Sequence, residues 1–457
     1  MIRHTIATAT LLLSSVFLFS QEQISLSLEQ ATERALSHNL GVKSSELGVS
    51  AAEKQLKSSI AKGLPQIEGS VDYSYFFDYE IDFSFGGSSN NGVDINYALF
   101  DDGDKEIMKL LQSMSSSEPI IMEGSANSKL QISQLLFSGQ YWVGIQTAKL
   151  AKLLAEQQVE KNKTEIIESV SNVYFGIVIL QESIEILTKT SENLDDTFIK
   201  TAALVRAGIA EETDTLQIRM AQNSLSNSVK QLERSYDFNN TMLKFLLGIP
   251  YETTVVLTED AQNFIQEDAI QEKLTSPFSV EDNIDYQVME SQVGISKKMV
   301  RLQQMAYAPT LAGFYQYNYK ILSTGLDMNP DHVVGVSLQI PIFSSGARHF
   351  AVQEAKIKSA QAELGKQLVA EQLTMEMQQA QFNLKNAYEN FMLQKENIEL
   401  AERIYTKTQQ KYDYGVASSF ELTQTNNSYL EAQSNYLQAY MQLFQAKNAL
   451  EKLSHSL

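Results

Sequence analysis

The residues able to do chemistry are few and scattered along the 457-residue chain. There is no cysteine, which excludes disulfides, thiolate metal sites and a cysteine nucleophile. The histidines, His4, His38, His332, His349 and His455, include no pair at the i, i+4 or ExxH-type spacing of a zinc site. Met375 and Met377 lie two apart, on different faces of any helix, and so form no thioether relay for a soft metal. The cluster "DDGDKE" (Asp101 to Glu106) gathers carboxylates but lacks the full oxygen-ligand pattern of a calcium loop; it reads as a solvated charge run. No phosphate loop, dinucleotide fingerprint or nucleophile elbow occurs. Ser418 and Glu421 have the S-x-x-E spacing of a helix capping box. With 55 acidic against 36 basic residues and a formal charge of −19, the chain is unsuited to a nucleic-acid partner, which needs a basic surface. No catalytic residue, metal or cofactor is expected.

The elements that hold these residues are read from the breaks. Residues 1–20 have the form of an export signal: Arg3 supplies the positive end, Leu11 to Phe19 the apolar core, and Ser20 a small residue before "QEQ". No later segment approaches the ~20 apolar residues of a membrane-crossing helix. The prolines are Pro65, Pro119, Pro250, Pro277, Pro309, Pro330 and Pro341. They leave two long proline-free tracts in which helices run uninterrupted, and both tracts carry seven-residue apolar rows. In the first, Val170, Ile177, Ile184, Phe198 and Val205 form one row, with Ser191 its only polar member, and Val173, Leu180, Leu187, Leu194 and Thr201 the other. In the second they are Met377, Leu384, Phe391, Ile398, Tyr405 and Tyr412, with Ala380, Ala387, Gln394, Ala401 and Thr408. Such rows predict coiled-coil packing, with a helix from about Gln140 to Val205 roughly 100 Å long at about 1.5 Å per residue.

Another period marks the segment "IEGSVDYSYFFDYEIDFSF" (Ile67 to Phe85). Its odd positions are apolar or glycine and its even ones almost all small or acidic, which predicts a long strand with two chemically different faces. The pattern is duplicated. "LPQIEGSVDYSY" (Leu64 to Tyr75) aligns with "APTLAGFYQYNY" (Ala308 to Tyr319), and "LQISQLLFSGQ" (Leu130 to Gln140) with "VSLQIPIFSSGA" (Val336 to Ala347). Gly208 and Gly415 fall at matching turns. Each half therefore reads helix, strand, strand, long helix, turn, helix, a quasi-symmetric plan. The first repeat covers 21–247 and includes a long connection over 86–127; a joining segment spans 248–279; the second repeat covers 280–457. In lipid, strands span only as a closed barrel, and barrels begin at about eight strands, so four per chain require several chains to share one.

The export signal, "SLEQATERALSHNL", "LPQIEGSVDYSY", "FSGQ" and the glycine turns before acidic helix starts together resemble the TolC-type outer-membrane efflux proteins. The resemblance implies an α+β membrane protein in which a long antiparallel α-helical coiled-coil barrel joins a shared transmembrane β-barrel. It implies a homotrimer in outer-membrane lipid that extends into the periplasm. Such a trimer is the exit duct of a tripartite efflux or type I secretion system, working with a periplasmic adaptor and an inner-membrane pump. In this family the region corresponding to 248–279 packs as an equatorial belt. The turns at Gly208, Ile209, Gly415 and Val416 would contact the adaptor, and Asp214, Glu421 and Gln424 would line the periplasmic aperture. Tyr412 stands where the family has a tyrosine that hydrogen-bonds across the closed tip, whereas Ala417 replaces a bridging arginine. Two alternatives stay open: Asp214 and Glu421 as helix caps alone, Glu421 within the Ser418 box, and a structural outer-membrane tether without transport. Topology would put the 86–127 connection outside the cell.

Overall fold

The computed structural model describes residues 23–75, 77, 80–81, 106–107, 120–121, 124–261, 264, 267–275, 277–322 and 330–454. The export signal, most of the 86–127 connection and nearly all of "DDGDKE" lie outside them. Helices are α1 (Leu28–His38), α2 (Leu40–Ala61), α3 (Gly139–Arg206), α4 (Glu212–Leu247), α5 (Glu267–Thr275), α6 (Ile284–Met305), α7 (Ala347–Asp413) and α8 (Ser419–Leu453). Strands are β1 (Gln23–Leu26), β2 (Gln66–Tyr75), β3 (Glu80–Ile81), β4 (Ile120–Ile121), β5 (Gly124–Phe137), β6 (Thr254–Leu257), β7 (Thr310–Leu322) and β8 (His332–Gln339). The halves match closely in length: α2 and α6 have 22 residues each, α3 and α7 have 68 and 67, and α4 and α8 have 36 and 35.

Two compact units form, each drawing on both halves of the chain. One takes the described parts of Met1–Ala52, Leu150–Gly294 and Ala360–Leu457; the other takes Glu53–Lys149 and Ile295–Ser359. The second unit contains an antiparallel sheet in the order β2-β5-β7-β8. Its register puts Ile67, Ile132, Tyr315 and Val334 in one row across all four strands, and Gly69, Leu130, Tyr317 and His332 in the next row of the same face. Glu68, Gln131 and Gln316 form a row on the opposite face that ends at Val333 in β8, and Ser70, Lys129 and Asn318 form another. Period-two alternation thus gives the sheet one largely apolar face and one more polar face, the latter interrupted by Phe314 and Val333. The apolar face is uncovered: Ile67 is 67 % exposed and Val334 83 %.

Within the alternating run, β2 covers Gln66–Tyr75 and the separate two-residue β3 pairs with β4; residues 76, 78–79 and 82–85 of that run lie outside the described residues. β5 begins at Gly124, opposite Tyr75, so strand takes over the last residues of the expected 86–127 connection. "GSANS" has no apolar alternation, and ladder hydrogen bonds rather than side chains make it a strand. β8 ends at Gln339, before Pro341, which has no N–H to give to a ladder. Ile340 and Ile342 therefore fall beyond the sheet.

The first unit holds the core. Phe175 stacks on Phe444 at 4.0 Å and meets Tyr440 and Phe264 edge-on, with Leu243, Leu247, Leu384 and Leu443 fully buried around them. α1 starts where Ser27 and Gln30 close a capping box. It ends at Asn39, whose carboxamide donates to Leu246 O at 2.9 Å and accepts from Gly41 N–H at 2.7 Å. That bracing separates α1 from α2. Joining-segment strand β6 pairs in parallel with β1. α3 contains a stretch apolar enough to cross a membrane by length and composition, which corrects the expectation that none would occur. Its apolar residues Val170, Tyr174, Phe175 and Ile177 are instead fully buried in this core.

The α3 seam departs from the expected rows only in part. Past Ile179 its buried positions include Leu194 and Thr201 of the second expected row, and Ser183, Thr190 and Thr197, which lie one residue before Ile184, Ser191 and Phe198 of the first. The hydroxyls of Ser183, Thr190 and Thr197 each donate to the carbonyl four residues back, at 2.7, 2.9 and 2.8 Å. These bonds satisfy the hydroxyls, so small polar residues can occupy a tight seam without orphaned groups. Along α7 the expected pattern holds at Met377, Ala380, Leu384, Phe391, Tyr405 and Thr408, all buried.

Candidate functional site

Two helix turns within the first unit carry the site residues. A long helix must reverse there, so its last carbonyls need partners. At the α3–α4 turn, Gly208 N–H donates to Val205 O at 3.0 Å and Ile209 N–H to Leu204 O at 3.0 Å. At the α7–α8 turn, Gly415 N–H donates to Tyr412 O at 2.9 Å and Val416 N–H to Lys411 O at 2.8 Å. Both are Schellman endings, and both need a left-handed residue at the glycine: φ is 75° at Gly208 and 70° at Gly415. Ile209 and Val416 occupy the same position after the two glycines, and each is 75 % exposed.

The returning helices start differently. Ser418 caps α8 by accepting Glu421 N–H at 3.2 Å. Among the described residues the reciprocal bond from Ser418 N–H to the Glu421 carboxylate is absent, so the expected capping box forms only by half. In α4 the box closes through a residue not expected to cap. Glu211 N–H donates to Asp214 Oδ2 at 3.1 Å, and Asp214 N–H donates in return to Glu211 O at 3.1 Å. The other Asp214 oxygen, Oδ1, accepts the Ser419 hydroxyl from the neighbouring turn. Asp214 and Glu421 thus hold equivalent places, three residues into their helices, with unlike surroundings. Asp214 is half-buried and bonded on both oxygens, whereas Glu421 and Gln424 are exposed.

Tyr412 is bonded between the two long helices. Its hydroxyl meets Thr201 Oγ1 on α3. Thr201 gives its own proton to Thr197 O at 2.8 Å, so Tyr412 is the donor. One residue on, Asp413 pairs with Lys200 at 2.9 Å, and this hydrogen bond and charge raise the lysine above its ordinary pKa. The structure therefore brings Asp214, Tyr412, both glycines, Ile209 and Val416 together at two turns joined through Asp214 and Ser419. Sequence reasoning missed Thr201 as a partner, Ser419 and the Lys200–Asp413 pair. Ser419 gave no signal beyond following Ser418; Thr201 stood in an apolar row, and only its hydroxyl marked it.

Among the described residues no group of three or more His, Asp or Glu side chains could hold a metal ion. Tyr405 and Tyr429 stack at 5.6 Å between α7 and α8, and burial raises both phenols. These are packing aromatics.

No curated protein sequence matches the chain significantly. Solved structures do. CusC shares 15 % identity with it at a TM-score of 0.72, covering 93 % of this chain and 91 % of its own. The CmeC outer membrane channel of Campylobacter jejuni shares 16 % at 0.71, covering 94 % and 85 %. VceC, an outer membrane protein of Vibrio cholerae, shares 14 % at 0.70, covering 93 % and 96 %. At these identities the likeness is one of fold. The family model described as outer membrane efflux protein matches residues 112–249 and 280–454, well over half the chain. The chain belongs to the outer membrane efflux protein family.

Proposed function

We propose that three copies of this chain form one passive exit duct, each adding four strands to a twelve-stranded outer-membrane barrel. Its long helices complete a tube across the periplasm, built on two structural repeats divided as 21–247 and 280–457. The observation that carries the reading is the four-stranded sheet. Among the described residues its outer strands β2 and β8 each have one free edge, and one face is apolar and bare. Exposed edges and bare apolar rows are costly in water, and free edges are costlier in lipid, where every backbone group needs a partner. An even number of alternating strands leaves β2 and β8 antiparallel, so copies join edge to edge with the same pairing used inside each sheet.

The duct is supplied by an inner-membrane pump through a periplasmic adaptor that docks on Gly208, Ile209, Gly415 and Val416. Two exposed apolar side chains presented identically by two turns support that role. Asp214, Glu421, Gln424 and Tyr412 border the aperture. The chain performs no chemistry itself, and the pump supplies the energy.

The absence of native cysteine makes the test direct. Cysteines placed at Val71 in β2 and Val336 in β8 should crosslink purified protein into covalent trimers under oxidation, and the protein should conduct in planar bilayers. A single subunit without conductance would overturn the duct.

A further inference from the structure

A cavity of about 630 Å³ opens between α3, α4 and α8 in the first unit, distant in sequence from both turns. Its floor is apolar, with Ile179, Leu225 and Leu437 buried. Three polar groups interrupt that floor, and all three present acceptors. Ser183 has given its proton to Ile179 O at 2.7 Å, and Ser228 has given its own to Ser224 O at 3.1 Å. Gln433 is 4 % exposed and hydrogen-bonds Tyr429, while its Oε1 accepts no bond among the described residues. Glu431 adds a carboxylate at the rim, no lysine or arginine lines the cavity, and the other polar lining side chains are exposed.

A buried acceptor without a donor costs free energy that a ligand N–H recovers. We infer that this cavity binds a lipophilic cation: a protonated amine carried on an apolar body. The amine would donate to Gln433 Oε1 with Glu431 balancing its charge, while the body would cover Leu225 and Leu437. The volume lies within the range of small-molecule sites, about 300–1,000 Å³. The inference goes beyond the duct reading and needs no transport.

The test is fluorescence polarisation on the intact, detergent-solubilised protein with rhodamine 6G, a lipophilic cation bearing N–H donors, and with fluorescein, an anion of similar size. Saturable binding of rhodamine 6G but not fluorescein is expected. Gln433→Leu should weaken it roughly fivefold, the effect of one lost hydrogen bond. Ser228→Phe, which fills the cavity, should abolish it. Glu431→Gln, a rim change that leaves the packing alone, should weaken it about two- to threefold and remove part of its salt dependence. Equal affinity in wild type, Glu431→Gln and Gln433→Leu would mean partition into detergent and would overturn the site, as would equal binding of fluorescein. Because the readout is binding alone, either failure leaves the duct standing.

Discussion

The α3–α4 and α7–α8 turns end their first helices alike and begin their second helices differently. Each glycine ending has a purely conformational requirement: a Cβ at Gly208 or Gly415 would meet no atom within 4 Å, yet φ is positive at both. The starts are governed by hydrogen-bonding partners. Asp214 closes its own cap and holds Ser419 of the other turn, whereas its counterpart Glu421 is exposed and leaves capping to Ser418. Equivalent acids in the two halves thus have separate jobs. One fastens the turns together; the other is exposed and free of that task.

The largest expected effect falls on the shared feature. Gly208→Val and Gly415→Val should each lower stability by about 1–3 kcal/mol, and Asn should recover much of it because it tolerates the left-handed region. Thermal melts showing equal losses at both turns would uphold the likeness, and a loss at one alone would break it. Next comes the contrast itself. Asp214→Ala should cost about 1–2 kcal/mol for the lost cap and the lost Ser419 bond, with faster proteolysis at both turns, whereas Glu421→Ala should change melting little. If the two substitutions cost the same, the division of roles is wrong.

Smaller effects sharpen the picture. Tyr412→Phe should cost about 0.5–1 kcal/mol, because Thr201 keeps its bond to Thr197 and no buried group is orphaned. Lys200→Ala should cost at most a few tenths of a kcal/mol, since the pair with Asp413 is well exposed and screened. Its pKa is raised in the folded state, so this contribution is complete below the ordinary lysine value of 10.5 and is lost only as pH rises through the folded value. Melts of wild type and variant should differ by the same small amount from pH 6 to pH 9.

Much of this was legible beforehand, for reasons that can be named. Proline spacing and the seven-residue rows gave the long helices almost to the residue: α3 was expected from Gln140 to Val205 and runs Gly139–Arg206. Gly208 and Gly415 were visible because only a positive φ demands glycine so strictly. Alternation gave the two faces of β2, but its end was hidden, since aromatic and acidic residues continue past Tyr75 and only ladder partners decide where pairing stops. The Ser183, Thr190 and Thr197 seam was obscured by larger apolar neighbours one residue on. A hydrophobic pattern ranks Ile184 and Phe198 above a serine and a threonine, while close helix approach selects the smaller side chain. The cap at Asp214 was not legible because Glu211 is a weak N-cap by residue type. The cap works through the Glu211 backbone N–H, which no side-chain preference reports.

The even strand number also bears on how the protein enters a bilayer. β2 sets out from the side where α2 ends, β5 and β8 return to the side where α3 and α7 begin, and β7 starts there after α6, so these four helices all join the sheet at one rim. In the barrel proposed above, only the β2–β5 and β7–β8 connections would need to be threaded through lipid, and no long helix would make that passage.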